Sequence, residues 1–249
     1  ICDEYGPFIL QLDKTGKILQ KFEPGNGLPE VLKYRVPNRG FEGLTIDENG
    51  YVYATVQSTL NIEGKTKDKA TFTRVIKLNP QTKEVQTFAY PLDNGYQKNS
   101  AAKIGDICSL GNNKFLIIEQ GKQHGEMQNL IYKVDFSEAT DITNLNNLEG
   151  EDSKEGVIFG KKELLLNLRN YGWTAEKAEG ITLLPNRKTV VVINDNDFGM
   201  TIKQDIKNYY YDGNTKKLYK NNQEVKENFS LKDNEEKSQL WLINLDNEL

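Results

Sequence analysis

The chain has 249 residues, with 32 lysines and arginines against 36 aspartates and glutamates, which gives a formal net charge of −4. This composition is typical of a globular protein with a sizeable core. No run of 18 apolar residues occurs, which argues against a membrane span, and the negative balance argues against a nucleic-acid partner. Two cysteines exclude a disulfide-rich scaffold, and a single histidine excludes a metal site built from several histidines.

The first residues, Ile1-Cys2-Asp3-Glu4, carry no initiator methionine and none of the segments of a signal peptide. This opening is typical of a strand interior, so we expect a processed or truncated chain that begins within a domain. Cys2 and Cys108 could pair, but we expect two free small apolar side chains in strands.

Short β-rich runs separated by turn sequences dominate the chain. The Asn49-Gly50 dipeptide between two such runs is a strong hairpin signal. Hairpins of this kind are predicted over 8–22, 44–56, 74–88, 107–118 and 181–193.

Helical periodicity is limited to 161–170, where Leu164, Leu165 and Leu168 predict one short helix. Long polar segments are expected to be surface insertions between strands. They cover 60–70, 92–102, 138–160 and 199–236. Within the last segment, 209–225 predicts an extra hairpin.

Three segments, 41–57, 104–120 and 178–195, can be superposed. Each is a strand, a tight turn and a strand, with an acidic residue near its start, and the final strand from Leu240 fits an outer position of the same unit. Repeated strand-rich units indicate a β-propeller or a solenoid. We therefore predict an all-β chain, a single β-propeller domain over 1–249. About four blades are visible, the first and last incomplete, with long polar insertions and one short helix. A β-sandwich with long loops is the alternative.

Five ordered motifs resemble the phytase-like domain family described as "esterase-like activity of phytase". They are Asp3-Glu4-Tyr5-Gly6-Pro7-Phe8, Asn38-Arg39-Gly40-Phe41-Glu42-Gly43-Leu44, Phe115-Leu116-Ile117-Ile118-Glu119, Lys177-Ala178-Glu179-Gly180-Ile181-Thr182 and Asn194-Asp195-Asn196-Asp197-Phe198-Gly199. The resemblance runs from residue 1 to the strand of Trp241. It implies a β-propeller, usually exported and so periplasmic or secreted, with a metal-dependent ester or phosphoester hydrolase activity.

Two features depart from the family pattern. Family members carry further propeller strands before the first motif, so a second chain or fragment is expected to complete the propeller. Where the family often has Glu-Arg-Asp after its strand of the Leu-Ile-Ile type, this chain has Glu119-Gln120-Gly121, and the loss of the Arg and Asp weakens the expectation that this corner binds phosphate or metal in the manner of the family.

Carboxylates recur at the starts of the repeats. Glu42 and Glu179 occupy equivalent positions, with Asp106 close by, so their side chains should converge, and converging carboxylates favour a cation between them. Hard oxygen ligands suit Ca²⁺ or Mg²⁺. The candidate metal ligands, with Ca²⁺ as the expected ion, are Asp3, Glu4, Glu42, Asp106, Glu179, Asp195 and Asp197. The alternative is that these carboxylates accept bonds from neighbouring backbone amides and only hold the blades together.

A hydrolase of this type would use activated water and a carboxylate base, so Glu42 and Glu179 are also the catalytic candidates. Arg39 and Lys177 precede the two Glu-Gly pairs and could bind an anionic or ester substrate. Two other functions stay open: a non-catalytic propeller that binds a protein, glycan or small ligand, and a calcium-dependent lactonase-like enzyme.

Overall fold

The computed structural model describes residues 1–151, 154–212 and 215–249. Within these residues the helical segments are short 3₁₀ turns and strands form the framework, so the protein is all-β, as predicted. The 3₁₀ turns are Glu30–Tyr34, Ile62–Gly64, Asn99–Ala101, Leu148–Gly150, Leu168–Tyr171 and Asp197–Gly199. The strands, in chain order, are β1 (Cys2–Asp3), β2 (Phe8–Leu12), β3 (Ile18–Pro24), β4 (Gly27–Leu28), β5 (Phe41–Ile46), β6 (Val52–Val56), β7 (Phe72–Leu78), β8 (Val85–Pro91), β9 (Lys103–Gly111), β10 (Lys114–Gln123), β11 (Glu126–Asp135), β12 (Lys161–Asn167), β13 (Gly180–Leu183), β14 (Thr189–Ile193), β15 (Met200–Ile202), β16 (Tyr209–Asp212), β17 (Lys217–Lys220), β18 (Gln223–Val225), β19 (Leu231–Asp233) and β20 (Leu240–Asn244).

Tertiary contacts divide the chain into two compact units, one of Ile1–Asn194 with Leu240–Leu249, the other of Asp195–Gln239. The first unit contains four sheets: sheet 1 (β1–β4), sheet 2 (β5–β8), sheet 3 (β9–β12) and sheet 4 (β13, β14 and β20). Neighbouring strands are antiparallel except β3 and β4, which are parallel. The five predicted hairpins are confirmed, and the final strand pairs with β14, as expected.

The sheets of the first unit pack in sequence order through three apolar clusters. One cluster joins sheets 1 and 2, the next joins sheets 2 and 3, and the third joins sheets 3 and 4. The first strands lie side by side, with β1 next to β5, β5 next to β9, and β9 next to β13. The acidic residues at the starts of these strands are thereby brought into one region.

Close approach of the first strands depends on glycine. A Cβ on Gly43 would lie 2.8 Å from Asp106 Cα, and one on Gly105 would lie 2.2 Å from the Ala178 carbonyl oxygen. Both distances are shorter than any Cβ contact allows, so these positions require a residue without a side chain.

The predicted helix over 161–170 is wrong. β12 pairs with β11, with Leu166 opposite Ile131, and only the following residues form a 3₁₀ turn. Strand β11 offers a free edge, and Leu166 becomes buried there. Pairing and burial outweigh the local helical periodicity, as tertiary context often does.

The insertion at 138–160 is anchored by a buried ion pair. Arg74 donates from Nε to Glu149 Oε1 at 2.6 Å and from a terminal nitrogen to Oε2 at 2.9 Å, with both side chains almost fully buried. The same guanidinium donates to the carbonyls of Ile142 (3.3 Å) and Leu145 (2.7 Å). Arg74 of sheet 2 thus holds a segment 71 to 75 residues further along the chain.

The second unit contains two small sheets. β15 pairs with β19, and β16, β17 and β18 form a three-stranded sheet. The extra hairpin predicted over 209–225 is confirmed with one additional strand, although residues 213 and 214 of its turn lie outside the described part. Tyr210 and Tyr219 stack across it with ring centroids 4.9 Å apart.

The two cysteines, Cys2 and Cys108, are free, as expected. Within the described residues, we find no helix of the length and apolarity that crossing a membrane requires.

Candidate functional site

One acidic residue comes from the start of each sheet in the first unit. Glu4 follows β1, Glu42 lies in β5, Asp106 lies in β9, and Glu179 directly precedes β13. The side chain of Glu42 interacts with those of both Glu4 and Glu179, and we call these three residues the carboxyl cluster. The sequence placed all three among its candidates.

Glu42 is at the centre of the carboxyl cluster. Its carboxyl shares a hydrogen bond with the carboxyl of Glu4, feels the negative charge of Glu179, and accepts a bond from Gln57 Nε2 at 2.6 Å. Burial, the bond to Glu4 and the charge of Glu179 together raise the pKa of Glu42 to about 9. Without a cation, burial and mutual repulsion therefore favour a proton shared between the carboxyls of Glu42 and Glu4.

Asp106 is placed differently, although it lies nearby. Its carboxylate accepts the backbone N–H of Ile181 at 2.8 Å, from sheet 4, and also those of Ile107 and Leu44. Burial raises the pKa of Asp106 to about 6, and the three amides act in the opposite direction. Asp106 thus joins sheets 2, 3 and 4, which is the structural role considered as the alternative for these carboxylates.

The remaining predicted metal ligands have local contacts. Asp3 Oδ1 accepts the backbone N–H of Gly6 at 2.8 Å and stabilises the turn between β1 and β2. Asp195 and Asp197 belong to the second unit, where Asp195 Oδ1 accepts the N–H of Asp197 at 2.9 Å. That bond is typical of an Asx turn.

Arg39 and Lys177, the predicted substrate-binding cations, line the same cavity of about 310 Å³. Lys103 and Lys122 add two further positive charges to its wall, and Glu176 is the acidic lining residue. We call this space the basic cavity. It suits an anionic ligand because four cations face one carboxylate.

Arg39 is half-buried and oriented by its surroundings. Its guanidinium donates to the carbonyl oxygen of Ser100 and, at 3.4 Å, to the hydroxyl of Ser58. Burial lowers the pKa of Arg39, and the charge of Asp68 opposes this; an arginine remains charged at neutral pH regardless.

Gln120 connects the basic cavity to the carboxyl cluster. It lines the cavity, and its Nε2 lies 3.5 Å from Glu179 Oε1. A larger cavity, of about 650 Å³, lies between 62–71 and 147–154, but the predicted site residues do not line it. We therefore assign the candidate site to the smaller cavity, where predicted residues and opposite charges meet.

Glu119, the first residue of the Glu119-Gln120-Gly121 sequence, is completely buried and fully hydrogen-bonded. Its carboxylate accepts from Tyr90 Oη (2.8 Å), Tyr96 Oη (3.0 Å), Lys162 Nζ (2.7 Å) and the Asp93 backbone N–H (2.9 Å). With its charge paired with Lys162 and its oxygens bonded, Glu119 has a structural role.

The donors of the carboxyl cluster match a hard cation in kind, since all are carboxyl oxygens. Their present arrangement is less favourable: across 1–151, 154–212 and 215–249, no three acidic, histidine or cysteine side chains are placed to hold one metal ion. The residues that would hold Ca²⁺ are Glu4 and Glu42, whose carboxyls already meet, with Glu179 as the neighbouring charge.

Sequence reasoning missed Gln57, Gln120, Lys103 and Lys122. The two glutamines are the last residues of the superposed segments 41–57 and 104–120 and so hold equivalent positions, a signal that the sequence contained. The two lysines stand in polar stretches like many others, and only the fold brings them beside Arg39.

Comparison with known proteins gives one result. No curated protein and no solved structure matches the chain. The family model Phytase-like, "Esterase-like activity of phytase", matches residues 1–198; the last strand, which the resemblance was expected to include, lies outside the matched range. Because the match covers well over half of its length, the chain belongs to the Phytase-like family.

Proposed function

We propose that the carboxyl cluster and the basic cavity form the active site of an ester or phosphoester hydrolase that depends on a divalent cation, with Ca²⁺ as the expected ion. The observation that carries the proposal is that three carboxyls from three sheets interact beside a cavity lined by four cations. Membership of the family supports a hydrolase-like function at the level of the family.

Each part of the site has a chemical role in this proposal. Arg39 and Lys177 bind the anionic or ester group of a small substrate, with Arg39 offering the planar fork that suits carboxylate and phosphate oxygens. Glu179 accepts a proton from the attacking water and returns it to the leaving oxygen, while Glu4 and Glu42, as carboxylates, would hold the cation. A bound cation would polarise the ester oxygen or lower the pKa of the attacking water.

The architecture that we propose for the first unit is a β-propeller whose four sheets are blades, the first and last incomplete. The sequential packing of the sheets and the adjacency of their first strands support it. The family resemblance suggests a periplasmic or secreted location.

A binding scaffold is the second candidate function, and one observation favours it. Asp106 is bound by three backbone amides and connects sheets, so part of the acidic set serves the fold alone. A calcium-dependent lactonase-like enzyme would use the same cation and carboxyls on a different ester.

The proposal is tested by unfolding and turnover measurements. Ca²⁺ at 100 times its Kd should stabilise the EDTA-treated protein by about 2.7 kcal/mol, and the variant Glu42→Gln/Glu179→Gln should lose this rise in Tm. Hydrolysis of p-nitrophenyl phosphate and p-nitrophenyl acetate should require Ca²⁺, and its rate should fall in Arg39→Gln. The matched control is Glu84→Gln, at an exposed glutamate, which should leave the calcium response and the rate unchanged. A wild type with neither a calcium response nor turnover refutes the hydrolase and favours the scaffold.

A further inference from the structure

Two buried glutamines hold equivalent positions in sheets 2 and 3. Gln57 directly follows β6 and is 6% exposed, and Gln120 lies in β10 and is 2% exposed. Each presents its amide nitrogen to a member of the carboxyl cluster. Gln57 donates to Glu42 at 2.6 Å, and Gln120 Nε2 faces Glu179 Oε1 at 3.5 Å.

The orientation of the Gln120 amide is fixed by its other end. Gln120 Oε1 accepts from Asn129 Nδ2 at 2.7 Å and from the Ala178 backbone N–H at 2.8 Å. Because both groups donate to Oε1, a flipped Gln120 amide would place its NH₂ group opposite two hydrogen-bond donors. The nitrogen must therefore point toward Glu179.

Asn129 is fixed in turn. It is completely buried, its Nδ2 also donates to the Glu176 carbonyl at 3.0 Å, and its Oδ1 accepts from Arg169 Nε at 2.7 Å. Each polar atom of the Asn129 side chain thus has a partner of the opposite kind, which excludes the flipped amide.

Arg169 ends this series of bonds on the loop that leads to Glu179. Its terminal nitrogens donate to the carbonyls of Trp173 (3.2 Å), Thr174 (3.1 Å) and Ala175 (2.6 Å). The same arginine therefore holds the backbone just before Glu179 and, through Asn129 and Gln120, the amide that faces its carboxylate.

We propose that Gln120 is a positioning residue that fixes the Glu179 carboxylate, with its own orientation imposed by Asn129 and Arg169. The inference deepens the proposed function and rests on it for the role of Glu179 in turnover. The amide also lines the basic cavity, so it places the base at a defined position relative to the bound anion.

The first test measures the side-chain amide of Gln120 by NMR in protein labelled with ¹⁵N-glutamine. Its signals are identified by their loss in Gln120→Glu. We expect its protons to exchange with solvent about tenfold more slowly than those of the exposed Gln86, and to lose that protection in Glu179→Ala and Asn129→Ala. Asn129→Asp, of the same shape but without the donor, serves if Asn129→Ala does not fold. Unchanged protection in folded variants at both positions overturns the proposal.

The second test measures kinetics with p-nitrophenyl phosphate. Gln120→Met, of similar length and uncharged but without the amide, should lower kcat by about 10²-fold, as misplacing a reacting group does, with KM nearly unchanged, and Gln86→Met, the same change on an exposed strand, should leave both constants unchanged. An active wild type whose kcat survives Gln120→Met overturns the positioning role. The wild type could also be inactive while the Gln120 amide protons are protected in a way that depends on Asn129 and Glu179. That result supports the positioning of Glu179 by Gln120 and refutes the hydrolase function.

Discussion

Removing the negative charge of Glu149 should destabilise the protein more than any other single polar substitution that we consider. The Arg74 guanidinium is 0% exposed and the Glu149 side chain 1% exposed, and they form two bonds, at 2.6 and 2.9 Å. In Glu149→Leu the guanidinium stays buried without a countercharge. Breaking such a pair on one side costs about 3–5 kcal/mol.

The double variant Arg74→Met/Glu149→Leu should recover part of that loss, since replacing both charges removes their desolvation cost. The Ile142 carbonyl keeps the backbone N–H of Leu145 as a donor at 3.0 Å. The Leu145 carbonyl loses the bond that Arg74 gave it, but Leu145 is 40% exposed, so water replaces the donor and the loss costs less than for a buried acceptor. The double variant should therefore be less stable than the wild type by less than about 1 kcal/mol.

Urea unfolding followed by circular dichroism measures these differences, and limited proteolysis at 138–160 shows whether the insertion opens on its own. The complete double-mutant cycle also includes Arg74→Met. The coupling energy between Arg74 and Glu149 that it gives should be stabilising and larger than about 1 kcal/mol. If Glu149→Leu alone lowers the free energy of unfolding by less than about 1 kcal/mol, the ion pair does not anchor the insertion.

Three further results are expected. Gly105→Ala should lower the free energy of unfolding by about 1–3 kcal/mol or more, because the added Cβ would lie 2.2 Å from the Ala178 carbonyl oxygen. Gly150→Ala, whose Cβ would have its nearest atom at 3.4 Å, should lower it much less in the same urea assay. Because the folded pKa of Glu42 is raised from 4.5 to about 9, its contribution to stability in chelating buffer is fully present below pH 4.5 and is lost as the pH rises toward 9. Glu42→Gln should remove that decline, and an unchanged slope would contradict the assignment. Burial raises the pKa of Cys2 to about 11, so its thiol should react slowly with a disulfide reagent at pH 8 in the folded protein and rapidly after unfolding.

Local patterns predicted the strands well because hairpins are encoded by neighbouring residues. Asn49-Gly50 supplies the positive φ of a tight turn, at Gly50, between two β-rich runs, and the strands pair as expected. The helix predicted over 161–170 was wrong because distant residues decide the structure there. The leucine spacing fits a helix, but the first seven residues pair with the free edge of β11 as strand β12.

The sequence predicted which carboxylates of the candidate site would converge, but not the side chains that hold the surrounding segments in place. Glu42 and Glu179 stand at matching repeat positions, and the repeat alone indicates that they meet. Arg74 and Glu149 are 75 residues apart, and no local pattern connects them. The bonds of Asn129 to Gln120 and Arg169 likewise depend on strand register and on a loop that folds back, so only coordinates reveal them.

The four acidic residues at the starts of the sheets divide by their partners. Asp106 faces three backbone amides, which stabilise its charge and tie it to the fold. Glu42 faces two other carboxyls, and its strongest donor is the neutral amide of Gln57. Carboxylates bound by backbone amides are already stabilised in their charged form, whereas mutually repelling ones are stabilised by a proton, a cation or a substrate that brings positive charge. Chemistry in this protein should therefore begin at Glu42 and Glu179 and leave Asp106, which lies one position later in its repeat, unchanged.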